Sequence, residues 1–212
     1  MKGDFHAQQD TMRNYYRWHA AVYDATRWTF LFGRKRILRR LPIAENISQT
    51  LLEVGCGTGH NLRFLAKYHP NLHLLGLDVS PDMLARTSRA TSQYSRRVQL
   101  FEQAYGAKPL KISQPPDFVL FSYALTMFNP GWEVAIEQAL TDLQPGGRIA
   151  VVDFYDTPSG AFRWWMAQNH VRMEGHLLPL LQSKFRTELL EICPAWLGLW
   201  RYFMYIGQKT KT

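Results

Sequence analysis

This 212-residue chain is poor in cysteine and has no long apolar run. Its two cysteines, Cys56 and Cys193, cannot make a disulfide framework. Neither Cys-x-x-Cys nor His-Glu-x-x-His occurs, so no metal site is expected. Cys56 reads as a small residue that fits a tight turn. No uninterrupted stretch approaches the ~20 apolar residues needed to span a bilayer. The start, Met1–Asp10, is polar and lacks the apolar centre of a secretory signal. A cytoplasmic protein is expected, peripheral to the inner face of the membrane. A phosphate loop ending in Gly-Lys-Ser/Thr is missing, which excludes a triphosphate cradle. Internal repeats and low-complexity segments are absent too.

What is present points to one α/β domain, since 212 residues can bury one core and are short for two. Hydrophobic residues make up 46% of the chain, and the aromatic share of 14%, with seven Trp and ten Tyr, asks for a use beyond packing. The net charge of +8 is unevenly placed. Residues 1–40 hold nine Lys or Arg against three acids, or +6, leaving +2 for the rest. Such a basic arm suits an anionic membrane surface or nucleic acid, although most charge runs are solvated helix faces. Within it, Arg34, Lys35, Arg36, Arg39 and Arg40 interleave with Ile37 and Leu38, and this stretch is expected to dock on anionic lipid. Each cation near such a surface is worth about 1 kcal/mol, lost as salt rises.

Periodicity predicts helices over Thr11–Thr26 and Phe30–Leu41, the second closed by Pro42. Strands follow at Leu51–Val54, His73–Asp78, Val98–Glu102, Phe118–Ser122 and Arg148–Phe154. Between them helices are predicted over Asn61–Tyr68, from Ser80-Pro81 onward, and over Trp132–Leu143. Continuously apolar strands alternating with helices imply a mostly parallel Rossmann-like sheet with helices on both faces. Lys184–Ile192 reads as a helix and Trp196–Gly207 as aromatic strands forming an antiparallel edge. The single domain thus divides into a basic arm at 1–45, a core at 46–154, an aromatic insertion at 155–183 and a helix with edge strands at 184–212. That insertion has the composition of a substrate lid or a membrane-facing helix.

The chemistry concentrates in Leu51-Leu52-Glu53-Val54-Gly55-Cys56-Gly57-Thr58-Gly59-His60-Asn61 and in Gly76-Leu77-Asp78-Val79-Ser80. This is a strand, a glycine turn, a helix and a second strand ending in an acid. Asp78 lies 23 residues beyond Gly55, near the ~20 at which a carboxylate reaches a nucleotide ribose. An ionised carboxylate only accepts hydrogen bonds, which matches two vicinal hydroxyls. The third glycine falls one place earlier than in the dinucleotide fingerprint. Glu53 would repel a diphosphate but suit a ligand carrying an ammonium group.

Glu-Val-Gly-Cys-Gly-Thr-Gly with Leu-Asp-Val-Ser downstream resembles the first motif and acidic partner of class I S-adenosylmethionine-dependent methyltransferases. Two further runs narrow the likeness: Tyr15–Arg27 with Phe32-Gly33-Arg34, and Phe121-Ser122-Tyr123-Ala124-Leu125-Thr126-Met127. Both resemble the bacterial BtaB family, which trimethylates the amine of diacylglyceryl-homoserine to a betaine lipid. The likeness covers roughly residues 12–155 and weakens beyond. It implies S-adenosyl-L-methionine as cofactor, with Gly55, Gly57, Gly59 and Asn61 around the methionine moiety and Glu53 near its ammonium. Asp78 would take the ribose, and Val79 and Met83 would sit beside the adenine. Gln103-Ala104 occupies a place where related enzymes carry an acid. Ser122 and Tyr123 would flank the reactive methyl, and Tyr23 belongs to the helix folding over the cofactor. The amine must lose its proton before attack; Tyr123, His19, Tyr15 and Asp153 are the candidates to take or relay it. Aromatic walls would favour the methylated ammonium.

A quinone-ring or other small-molecule methyltransferase is the nearest alternative. A nucleic-acid enzyme fits less well, because Ser122-Tyr123-Ala124-Leu125 stands where an Asp/Asn-Pro-Pro-aromatic signature is usual. A lipid-surface protein without catalysis would be expected to have lost the glycines or Asp78. The expected partner is a lipid substrate at an anionic surface.

Overall fold

The computed structural model describes residues 30–168 and 171–210. The helix expected over Thr11–Thr26, and with it Tyr15, His19 and Tyr23, lies outside these residues. Seven strands form one sheet: β1 Gln49–Val54, β2 Leu72–Asp78, β3 Val98–Glu102, β4 Phe118–Ser122, β5 Arg148–Asp156, β6 Arg186–Ala195 and β7 Trp200–Gln208. Their spatial order is β3-β2-β1-β4-β5-β7-β6. The first five pair in parallel, whereas β7 is antiparallel to both β5 and β6. β4 is buried at all five positions and β1 at its last four, as strands covered on both faces must be.

Helices α1 Arg34–Arg40, α2 His60–Tyr68, α3 Pro81–Ala90, α4 Trp132–Asp142, α5 Gly160–Gln168 and α6 Leu177–Lys184 complete the described fold. One apolar layer joins Ile37, Leu62 and Leu65 to Leu51, Phe118 and Val152. The other joins Ile136, Ala139 and Leu181 to Val54, Phe121 and Phe203. At about 25 cal/mol per Å² of apolar surface, these two layers are the main stabilising term. α3 starts as the sequence requires: Pro81 opens it, and the Ser80 hydroxyl accepts the Met83 amide at 3.4 Å. Arg97 ties three carbonyls together, donating to Ala66, His69 and Leu72 at 2.8–3.0 Å and so closing the end of α2 onto β2.

Three expectations change. The helix expected over Lys184–Ile192 is strand β6. Leu189, Leu190 and Ile192 mimic a helical repeat, yet the chain alternates along an antiparallel ladder with β7 from Arg186↔Gln208 to Ala195↔Trp200. Pairing with an aromatic strand overrides the local pattern. Secondly, the described residues of the 155–183 insertion do not make one lid: α6 buries Leu177, Leu178 and Leu181 in the core, whereas α5 leaves Trp164 and Trp165 outside. Thirdly, the basic helix is shorter than Phe30–Leu41, beginning after Gly33 at φ 78°. Its Ile37 and Leu38 are fully buried, so they cannot enter lipid; only its cations face outward.

Candidate active site

The strand order reverses between β1 and β4, and open α/β sheets bind ligands in the crevice at the carboxyl ends of such strands. Glu53 and the glycine turn stand at that end of β1, Ser122 at that of β4 and Asp78 at that of β2. Gly55, Gly57 and Gly59 have φ of 73°, 53° and 74°, a region L side chains rarely enter. A Cβ on Gly59 would lie 2.7 Å from the Thr87 methyl carbon, and one on Gly55 3.1 Å from Ala124 Cβ. Gly55 and Gly59 are therefore required by close approach as well as by conformation.

Hydrogen bonds clamp this turn. The amides of Gly55 and Cys56 donate to the Leu77 carbonyl at 2.8 and 3.0 Å. Asp78 accepts the Gly57 amide at 2.8 Å and the Ser80 amide at 3.0 Å, one on each oxygen. Thr87 Oγ1 donates to the Gly57 carbonyl at 2.6 Å. Asp78 is thus a brace for the loop, while a carboxylate's remaining acceptor capacity suits two hydroxyls. Val79 follows half-buried, and Met83 is buried on α3. Sequence reading missed Thr87, which packs on Gly59 from the next helix and carries no motif.

Glu53 is 2% exposed and accepts Asn61 Nδ2 at 2.7 Å. Asn61 Oδ1 and Ser122 Oγ are buried polar atoms without a hydrogen-bond partner among the described residues. A buried acceptor left so costs about 1–3 kcal/mol unless a ligand or water satisfies it. An acceptor beside a buried carboxylate fits an ammonium, so these residues suit the amino-acid end of S-adenosylmethionine. The Cys56 thiol is pushed up by burial and then by Glu53 and Asp78, which keeps it inert at neutral pH. Gln103 is engaged elsewhere: its side chain donates to the Lys108 carbonyl at 3.0 Å, and its amide to the Asp78 carbonyl at 3.2 Å. Ala104 follows, half-buried.

Two of the expected proton carriers are built into the frame. Tyr123, at φ 55°, is buried; its hydroxyl donates to the Phe32 carbonyl at 2.8 Å and its ring meets Phe154 edge-on. Burial, reinforced by Asp153, holds the phenol well above its ordinary range. The geometry is that of a pin between β4 and the segment before α1, not of a base. Asp153 is completely buried and accepts Thr126 Oγ1 at 2.5 Å, the Thr126 amide at 3.2 Å and the Phe154 amide at 2.8 Å. Its carboxyl is raised to about 6 by burial, against the lowering from these bonds. It closes the turn after β4, a task better suited to structure than to proton transfer.

A cleft of about 270 Å³ opens beside α1 and the start of α2, lined by Leu31, Arg34, Lys35, Arg36, His60 and Tyr202 with Gly33 between them. His60 is held below its ordinary pKa, first by burial and then by Arg34 and Lys35, so its imidazole is neutral at pH 7. Sequence reading gave His60 no role, although it closes the glycine-rich run.

The seven-stranded sheet inserts β7 antiparallel between β5 and β6, the mostly parallel Rossmann-like architecture with an antiparallel edge that the sequence predicts. Residues 52–149 match the family described as a methyltransferase domain. Trans-aconitate 2-methyltransferase of Methylobacterium nodulans is 34% identical over 115 residues, covering 54% of this chain and 41% of that protein. Demethylmenaquinone methyltransferase of Thermus thermophilus is 28% identical over 149 residues, 68% of this chain and 66% of that protein. The chain spans about half the length of the trans-aconitate relatives it matches, 41% and 46% for two of them. The N-methyltransferase NodS of Bradyrhizobium japonicum WM9, solved with S-adenosyl-L-homocysteine, superposes with a TM-score of 0.67 at 20% identity over 84% of this chain and 87% of NodS.

Proposed function

We propose that this chain transfers a methyl group from S-adenosylmethionine to the amine of a lipid head group, in successive steps that turn diacylglyceryl-homoserine into its betaine. The observation that carries methyl transfer is the clamped turn at Gly55–Gly59, with Asp78 bracing it and the acceptor Asn61 Oδ1 buried beside Glu53. The bound cofactor supplies an activated methyl on a sulfonium. The protein's part is to hold that group, exclude water and align the acceptor. Asp78 would receive the ribose hydroxyls, Glu53 and Asn61 the ammonium, Val79 and Met83 the adenine edge, and Ser122 would face the sulfonium end. Gln103 and Ala104 would border the adenine without the acid usual there.

The cationic cleft at α1 supports an acceptor that carries a carboxylate beside its amine, as a homoserine head group does. His60, on its wall, stays neutral beside these cations and would border the acceptor without taking its proton. The same cleft favours a second reading, a soluble carboxylate methylated on oxygen, the kind of acceptor for which the Methylobacterium relative is named. A ring acceptor, as in the Thermus relative's name, would not use those cations. Calorimetric titration with S-adenosylhomocysteine tests the shared premise: saturable binding at one site is expected, and no measurable binding would remove every reading that includes methyl transfer.

A further inference from the structure

Several exposed rings among the described residues are linked around the turn between β6 and β7. Between β6 and β7 the chain turns through Trp196–Gly198, with Trp196 at φ 47° and Leu197 at φ 56°, a conformation that bulky residues rarely adopt. Leu197 is 110% exposed, more than in an extended peptide, so it stands at the tip of a convex turn and is not the floor of a groove. Trp196 is 55% exposed, and Leu199 is also outside. The turn is joined to the approach to α1, where the Phe32 ring lies edge-on to Trp196 at 6.4 Å. Phe30 in turn meets Trp165 of α5 at 6.3 Å, which links that exposed ring to the same segment. On α1, Arg36 and Arg40 share the one carboxylate of Glu191 on β6, leaving net positive charge beside the turn. Lys35 and Arg39 add two more exposed cations.

From this juxtaposition we infer that Trp196, Leu197 and Leu199 form a wedge that enters the surface of an anionic bilayer, with the cations of α1 resting on the head groups. A projecting leucine has nothing to pack against on a flat protein partner but sinks readily into acyl chains, and the cations beside it match anionic head groups. Trp is suited to the boundary, with an apolar body and a donor at its edge. Lipid charge complements α1, and such attraction weakens as salt rises. Trp196-Leu197 thereby takes over the apolar part that Ile37 and Leu38, buried in the core, cannot play. The inference rests on the lipid reading for its purpose, but vesicle binding is measured without acceptor or cofactor, so the two can fail separately.

The test is flotation of the full chain with vesicles of phosphatidylcholine alone or containing phosphatidylglycerol, at low and high salt. Binding should need the anionic lipid, weaken in high salt, and fall at least tenfold in Leu197→Glu. Arg39→Glu should lower it less and flatten the salt dependence. Affinity of Leu197→Glu for S-adenosylhomocysteine should equal that of the parent, showing an intact fold. The inference is overturned if the parent fails to float, if it floats equally on neutral vesicles, or if Leu197→Glu floats as well as the parent. It is overturned too if sedimentation shows a dimer that Leu197→Glu dissociates, because the wedge would then belong to a second copy.

Discussion

Two of the turns that hold residues at positive φ do so by opposite means. In the turn after β1, glycines occupy Gly55, Gly57 and Gly59 at 53–74°, pressed against Ala124 and Thr87 and clamped by Leu77, Asp78 and Thr87. In the turn after β6, two bulky residues, Trp196 and Leu197, accept φ of 47° and 56°, with only Gly198 easing the return at 89°. A left-handed L residue costs roughly 1–2 kcal/mol. The first turn removes side chains so that its backbone can close on a ligand. The second keeps them, under strain, with Leu197 turned wholly to the outside. One turn is built to enclose and the other to project.

The hardest way to break this contrast is to remove the brace of the first turn. Asp78→Ala should lower affinity for S-adenosylhomocysteine at least about a hundredfold, since each charge-assisted hydrogen bond to the ribose is worth about 1.5–3 kcal/mol. Because Asp78 also accepts the Gly57 and Ser80 amides, the variant should melt earlier than the parent. Calorimetry and a thermal melt check both effects. Parental affinity in Asp78→Ala would mean that the turn holds something other than this cofactor.

A smaller change probes enclosure itself. Gly59→Ala places a Cβ 2.7 Å from Thr87 at φ 74° and should cost about 2–3 kcal/mol of stability in urea unfolding. The companion substitution Thr87→Ser keeps the hydroxyl that donates to Gly57 and removes the methyl in the way. It should recover part of that loss, and no recovery would show that strain alone, not contact, fixes the glycine.

The mildest substitution sharpens the other side. Leu197→Asn puts a residue that tolerates the left-handed region where leucine is strained, with nothing buried to lose. It should raise stability by about 0.5–1 kcal/mol while reducing flotation on anionic vesicles. Stability gained with vesicle binding unchanged would make the strain in that turn a feature without a use.

The same contrast explains which parts of the molecule the sequence disclosed. The enclosing turn was legible because its requirements are local: glycine where no Cβ fits, an apolar strand before it, and an acid at the end of the next strand. β3 and β4 occupy the expected residues, Val98–Glu102 and Phe118–Ser122. The site residues brought in from a distance were not legible. Thr87 reaches Gly57 from thirty positions away, and His60 gains its place only through the cleft it shares with Arg34 and Lys35. Tyr123 and Asp153 have the chemistry of proton carriers, but the Phe32 carbonyl and Thr126 occupy them, and pairing of that kind leaves no pattern in a sequence. β6 was misread because its apolar spacing suits a helix as well as a strand, and only β7 beside it decides.

The most direct measurement is transfer of labelled methyl from S-adenosylmethionine by the purified protein, supplied with vesicles bearing diacylglyceryl-homoserine and resolved by mass spectrometry. The proposed function predicts label on that lipid in one, two and then three increments, reaching the trimethylated head group. Unchanged lipid, with label appearing instead on an isoprenoid quinone or on a soluble carboxylate, would contradict it.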